Sequence, residues 1–171
     1  MPSSRRTLIA LVIAIAVAAA TAAIALGGGT AGPPKKAIVT SHGLRARTVL
    51  GSYCSSGTTK DGGGVSGCGD STYPLQPKAF LPITPNSSLR VNLRKSTRSV
   101  QADFIRGLDA HFQVVGPQLA AKPVPGTHRR VWRLRLPDDL RNADAVAMFV
   151  KFAGGGDADF WAGVKPVTRW P

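Results

Sequence analysis

The 171-residue chain contains no glutamate: its nine acidic residues are all aspartate, set against 22 Lys and Arg. Glutamate favours helix interiors whereas aspartate favours caps and turns, so this bias speaks against a helical bundle. Cysteine is almost as scarce. Two Cys and three scattered His exclude a four-ligand Cys/His zinc site and a disulfide-dense scaffold. Aromatic residues make up 6% and do not interleave with the basic ones as a base-stacking surface requires, which disfavours nucleic acid as a partner. Hydrophobic residues reach 43%, enough to bury a core, and the length suits a single domain.

What is present begins with an uncharged apolar run over residues 7–26. As a helix rising 1.5 Å per residue it would be about 30 Å long, the thickness of a bilayer's hydrocarbon core. Being apolar on every face, it needs lipid or protein on every face. Arg5 and Arg6 precede it with no acid nearby, so the amino end is expected to stay cytoplasmic and the remainder to cross. Residues 1–26 are therefore expected to form a transmembrane or signal-anchor segment, 27–43 a flexible Gly/Pro linker, and 44–171 an extracytoplasmic domain. Ala23-Ile24-Ala25 offers a cleavage signal, but the run is longer than a signal core of about 7–15 residues. That favours a single-pass anchor retained in the cell membrane over a product secreted after cleavage.

Location then bears on the cysteines. On the oxidising side of a membrane, Cys54 and Cys68 are expected to pair, and closing a loop near 15 residues is worth about 3 kcal/mol. Their spacing is far from Cys-x-x-Cys and no His adjoins either, which argues against a redox or nucleophilic thiol.

Strand patterns dominate the exported part. Leu89-Arg90-Val91-Asn92-Leu93-Arg94 alternates apolar and polar residues, as does Val131-Trp132-Arg133-Leu134-Arg135-Leu136. Residues 145–152 are apolar on nearly both faces, which suits a central strand, and a glycine turn leads to a further strand over 159–164. Residues 47–54 and 100–105 add two candidates. Phe104, Leu108 and Phe112 have helical spacing, and Asp138 or Asp139 could cap a helix, but Gly107 and the short runs favour single turns beside strands. Short strands separated by Gly, Pro, Asp and Asn turns predict an all-β, antiparallel β-sandwich, with a small barrel as the alternative. Four segments resemble small bacterial envelope proteins in which an immunoglobulin-like sandwich follows a signal or anchor segment: Gly51-Ser52-Tyr53-Cys54, Gly67-Cys68-Gly69-Asp70, Trp132-Arg133-Leu134-Arg135-Leu136-Pro137 and Gly156-Asp157-Ala158-Asp159-Phe160-Trp161-Ala162-Gly163. Ser55 stands where that pattern often has an aromatic. The resemblance implies a fold and a location, and no activity.

Catalytic patterns fare poorly. Gly64-Val65-Ser66-Gly67-Cys68 approaches a nucleophile elbow but has Cys68 where the last glycine belongs. His42, His111 and His128 lie in turn-like contexts. Asp138-Asp139 and Asp157-Ala158-Asp159 read as turn residues rather than a glycosidase pair or a calcium loop. No glycine cluster is followed by a phosphate-loop Lys-Ser/Thr, so neither cofactor nor metal is expected. An envelope hydrolase assembled only by the fold is the alternative to a non-catalytic binding or structural module.

The positive charge is the remaining signal. Without Arg5, Arg6, Lys35 and Lys36, 18 basic residues face nine Asp, formally about +9. Arg90 and Arg94 share one face of their expected strand, and Arg133 and Arg135 one face of theirs. Were the two strands neighbours, the four guanidiniums would form a platform for phosphates or carboxylates. The expected partners are the membrane, through the N-terminal helix, and an anionic envelope polymer, lipid headgroups or an acidic protein. A reporter enzyme fused to the carboxyl end is expected to be active only outside the cytosol; activity confined to the cytosol would refute the topology.

Overall fold

A computed structural model of the protein describes residues 32–59, 61–71, 75–111 and 113–168. The expected membrane segment lies outside the described residues, among which no helix is long and apolar enough to cross a membrane. The strands in chain order are β1 (Ile38–Ser41), β2 (Leu44–Arg47), β3 (Val49–Thr58), β4 (Gly64–Gly69), β5 (Phe80–Ile83) and β6 (Ser88–Asn92). They continue with β7 (Thr97–Arg106), β8 (Gln118–Ala120), β9 (Lys122–Pro125), β10 (Val131–Arg135), β11 (Ala143–Phe152) and β12 (Gly156–Pro166). A 3-10 turn at Thr127–Arg129 is the sole helical element among the described residues.

Two sheets result. One has five strands in the order β2-β1-β6-β10-β9; the other has seven, β4-β3-β12-β11-β7-β8, with β5 laid parallel to the end of β12. Every other pairing is antiparallel. The all-β, antiparallel expectation therefore holds.

Period-two alternation decides which side chains go in. In β6, Leu89 and Val91 are buried while Ser88 and Arg90 are exposed; in β10, Trp132 and Leu134 are buried while Arg133 and Arg135 are exposed. From the seven-stranded sheet, Phe104, Val146, Met148, Val150 and Phe160 join Val39, Leu89, Val91, Trp132 and Leu134 in one core. A polar link also crosses between the sheets. The Trp132 indole Nε1–H donates to Thr97 Oγ1 (2.8 Å), and the Thr97 hydroxyl donates to the Arg129 carbonyl (2.7 Å). It satisfies the polar end of a buried indole and holds β10 against β7 at one point. The opposite face of the seven-stranded sheet has its own small cluster, in which Leu75 packs with Ile105, Ala145 and Trp161. That second layer explains why β11 reads as apolar on both faces.

One boundary expected from the sequence needs correction. Residues 38–43, assigned to the linker, belong to the β1–β2 hairpin instead, with Val39 fully buried and β1 paired to β6. Phe104 lies in β7 and Leu108 makes an isolated bridge to Val114, so the helical spacing there is incidental; Phe112 lies outside the described residues. Asp139 sits in a turn, as expected. Its Oδ1 accepts the backbone N–H of Arg141 (3.1 Å), closing a turn.

Cys54 and Cys68 are bonded, as expected, and they are directly opposed partners of β3 and β4. Next to them, a Cβ on Gly69 would come 2.7 Å from the Tyr53 ring, so only glycine lets that aromatic lie across the hairpin. On the other side of β3, Gly156 at the start of β12 lies opposite Ser55 with φ +81°, and a Cβ there would overlap the Cys54 carbonyl oxygen. Replacing both cysteines by serine is expected to lower unfolding stability by about 3 kcal/mol, the entropy of closing a loop of this size. Urea unfolding of the variant checks this; unchanged stability would mean the hairpin is already held without the bridge.

Candidate anion-binding face

The core dictates where the arginines go. Because Leu89, Val91, Trp132 and Leu134 face inward, Arg90, Arg133 and Arg135 share the outer face of the five-stranded sheet. Arg90 and Arg133 are direct cross-strand partners. The sequence-based platform is thus assembled for three of its four members. Arg94 leaves it: β6 ends at Asn92, and Arg94 turns into a left-handed conformation (φ 62°), its N–H donating to Asn92 Oδ1 (3.1 Å). There Arg94 lines a separate hollow of about 320 Å³ beside Lys95, Arg130 and the Gly154-Gly155 turn.

Three cations that sequence reasoning missed complete the face. Ala46 is buried, so Arg45 and Arg47 of β2 point outward. Lys122 of β9 lies opposite Arg135. One row across the sheet reads Arg45, Thr40, Arg90, Arg133, Val124; the next reads Ser88, Arg135, Lys122. The signal for β2 was present in Leu44-Arg45-Ala46-Arg47, an alternation four residues long. That for β9 was hidden by Pro123 and Pro125, which read as loop residues.

With strands about 4.8 Å apart and alternate residues about 7 Å apart, these basic side chains form a close lattice of charge. All six are exposed, and the strands of this sheet carry no acidic residue. Among the described residues the ion pairs are those of Asp139, with Arg106 (3.1 Å) and Arg141 (3.0 Å), away from this face. A groove of about 510 Å³ passes over Arg90, Arg133 and Arg135 towards Val124 and Thr127. Hollows of about 190 Å³ between Arg45 and Arg90, and about 390 Å³ against Arg133 and Arg135, continue it on either side. Guanidiniums at this spacing offer several bidentate donor pairs to phosphate or carboxylate groups.

The acids lie elsewhere. Asp103 and Asp159 belong to the outer face of the seven-stranded sheet, in register with Ala147 and Phe149 of β11. Burial, and secondarily the neighbouring Asp157, push the Asp159 carboxyl above its ordinary range. Asp139 moves the other way: hydrogen bonds from Arg141, then Arg106, hold its carboxyl well below the usual range. Both are accounted for by their surroundings in the fold. Among the described residues no group of three or more His, Cys, Asp or Glu is placed to hold a metal ion. Of the histidines considered for hydrolysis, His42 has Nε2 3.3 Å from Thr84 Oγ1, and His111 meets Asp109 through its backbone N–H (2.8 Å).

Like charges directly opposed across a sheet are unfavourable. Arg133→Glu is therefore expected to turn the Arg90 pairing from repulsive to attractive and to raise stability by about 0.5–1 kcal/mol, read from urea unfolding at low salt. A loss of stability would show that the arginines are not held face to face. No family model, curated protein or solved structure is matched by this chain, so what the protein does must come from its own residues.

Proposed function

We propose that this protein is a non-catalytic binding module of the cell envelope, tethered by its N-terminal segment, that holds an anionic polymer on the outer face of its five-stranded sheet. The observation that carries the reading is the charge lattice: Arg45, Arg47, Arg90, Arg133, Arg135 and Lys122 share one face whose strands contain no carboxylate. A protein that keeps Arg90 opposite Arg133 accepts repulsion that an external anion relieves, so ligand binding and folding are coupled in the same direction. The apolar run over 7–26 and the flanking Arg5 and Arg6 support an extracytoplasmic setting, where phosphate- or carboxylate-bearing polymers and lipid headgroups are the anions at hand.

Two sheets sharing one core support the sandwich reading and its likeness to immunoglobulin-type layering. The disulfide differs from the antibody pattern: it joins neighbouring strands of one sheet instead of bridging the two.

Linear polyphosphate serves as the probe. Binding is expected at low ionic strength and should fall steeply as salt rises through the range where the Debye length shrinks to about 10 Å. The double variant Arg90→Ser/Arg133→Ser should lose at least about tenfold in affinity. Lys151→Ser, on the other sheet, should leave it unchanged. Absence of binding at low salt, or equal losses in both variants, would overturn the proposal. Vesicles with anionic headgroups form the comparison arm; preference for them over the polymer would reassign the ligand to the membrane surface.

A further inference from the structure

The edges of the two sheets are not equally defended. β2 carries Arg45 and Arg47, β9 carries Lys122, Pro123 and Pro125, β5 contains Pro82, and β8 is three residues long. Charge, proline and brevity are the devices that keep a sheet edge from pairing with another chain. β4 has none of them. Gly64-Val65-Ser66-Gly67-Cys68-Gly69 is uncharged and free of proline, and among the described residues it pairs only with β3.

The disulfide fixes which of its backbone groups face outward. Cys54 and Cys68 have Cα atoms 4.0 Å apart, the close approach of a non-hydrogen-bonded antiparallel pair. Val65, Gly67 and Gly69 consequently hydrogen-bond to β3, and the N–H and C=O groups of Gly64, Ser66 and Cys68 point away from it. Among the described residues nothing pairs with that outer row.

We infer that β4 is a self-association edge, pairing antiparallel with β4 of a second copy about a two-fold axis through Ser66. The sequence is complementary to its own reverse in that register. Gly64 and Cys68 of the partner face each other, Val65 faces the partner's Gly67, and Ser66 faces the partner's Ser66. Each bulky group thus meets a glycine: nothing lies within 4 Å of a Cβ built on Gly64, leaving room for the disulfide of the other copy. The facing pairs Gly64–Cys68, Ser66–Ser66 and Cys68–Gly64 are the ones whose backbone groups point outward, so each exchanges two hydrogen bonds.

The chain outside the described residues favours the same partner. Ser55 Oγ donates to the Gly32 carbonyl (3.1 Å), so Gly32, the first described residue, sits beside β3, one strand from the open edge. Copies tethered to one membrane by residues 7–26 would meet at raised effective concentration, which a small backbone-only interface requires. The two-fold axis is perpendicular to the sheet, because opposed residues of an antiparallel pair lie on one face. Both five-stranded sheets then face the same way, and the dimer presents two basic lattices side by side. The pairing itself stands whether or not those lattices bind an anion.

Sedimentation velocity of the full-length chain in mild non-ionic detergent, over a range of concentrations and without polyanion, tests the inference. Reversible dimerisation is expected. Ser66→Pro removes an outward N–H that β3 does not use, so it should fold and weaken association at least about tenfold. Ser66→Lys and Ser66→Asp should each be monomeric alone and recover dimer when mixed, because position 66 faces itself. Hydrogen exchange at the amides of Gly64, Ser66 and Cys68 should slow as concentration rises. A chain monomeric at every concentration, a Ser66→Pro variant that dimerises unchanged, or concentration-independent protection of those amides would overturn the inference. The last result would assign the edge to residues 1–31 of the same chain.

Discussion

The five-stranded sheet has one wet face, and everything distinctive about this protein follows from that constraint. Its strands contribute Val39, Leu89, Val91, Trp132 and Leu134 to the shared core. A strand has only two sides, so each residue between those apolar positions is delivered to the other side. Between Leu89 and Val91, and between Trp132 and Leu134, the intervening residue is an arginine. No local conformational preference would gather Arg45, Arg90 and Arg133 into a row; the hydrophobic effect does so indirectly, by claiming their neighbours. Charge density on the outside is therefore tied to packing on the inside, and a slip of one residue in β6 or β10 would exchange the two.

The seven-stranded sheet solves a different problem. It is the wider layer, and its outer face is partly covered by Leu75, which shields Ile105, Ala145 and Trp161. That cover lets β11 be apolar on both sides and leaves Asp103 and Asp159 among short or aromatic neighbours. The outer face of the five-stranded sheet thus carries cations without carboxylates, while that of the seven-stranded sheet sets Lys151 opposite Asp157, and the main core lies between the two sheets.

Much of this was legible in the sequence where the pattern was local. The alternation at 89–92 and 131–135 located β6 and β10 with their inward residues correctly placed, and the glycine turn at 154–156 joined β11 to β12. The cysteine pair, expected on the reading of an oxidising setting, is bonded across β3 and β4. Arg94 was misplaced because the apolar–polar alternation runs past the end of β6: Leu93 is buried, its N–H bonded to the Arg130 carbonyl, yet the next residue turns left-handed. β1 was missed because a Pro-Pro-Lys-Lys tract precedes it, and its pairing with β6 spans some fifty residues that no local pattern encodes. β9 was missed for its prolines, which an edge strand tolerates because one side of its backbone needs no partner. Half of the charged lattice, Arg45, Arg47 and Lys122, lay in the short strands β2 and β9, so its full extent became visible only through pairing.

The cation lattice also makes the charge of the domain lopsided along the normal of its sheets, with a positive excess on the outer face of the five-stranded one. In the field of an anionic layer such a body experiences a torque as well as an attraction, so it arrives already turned. Orientation before contact shortens the search for a productive encounter, and it operates on any sufficiently charged boundary, whatever the chemical detail of the groups that form it.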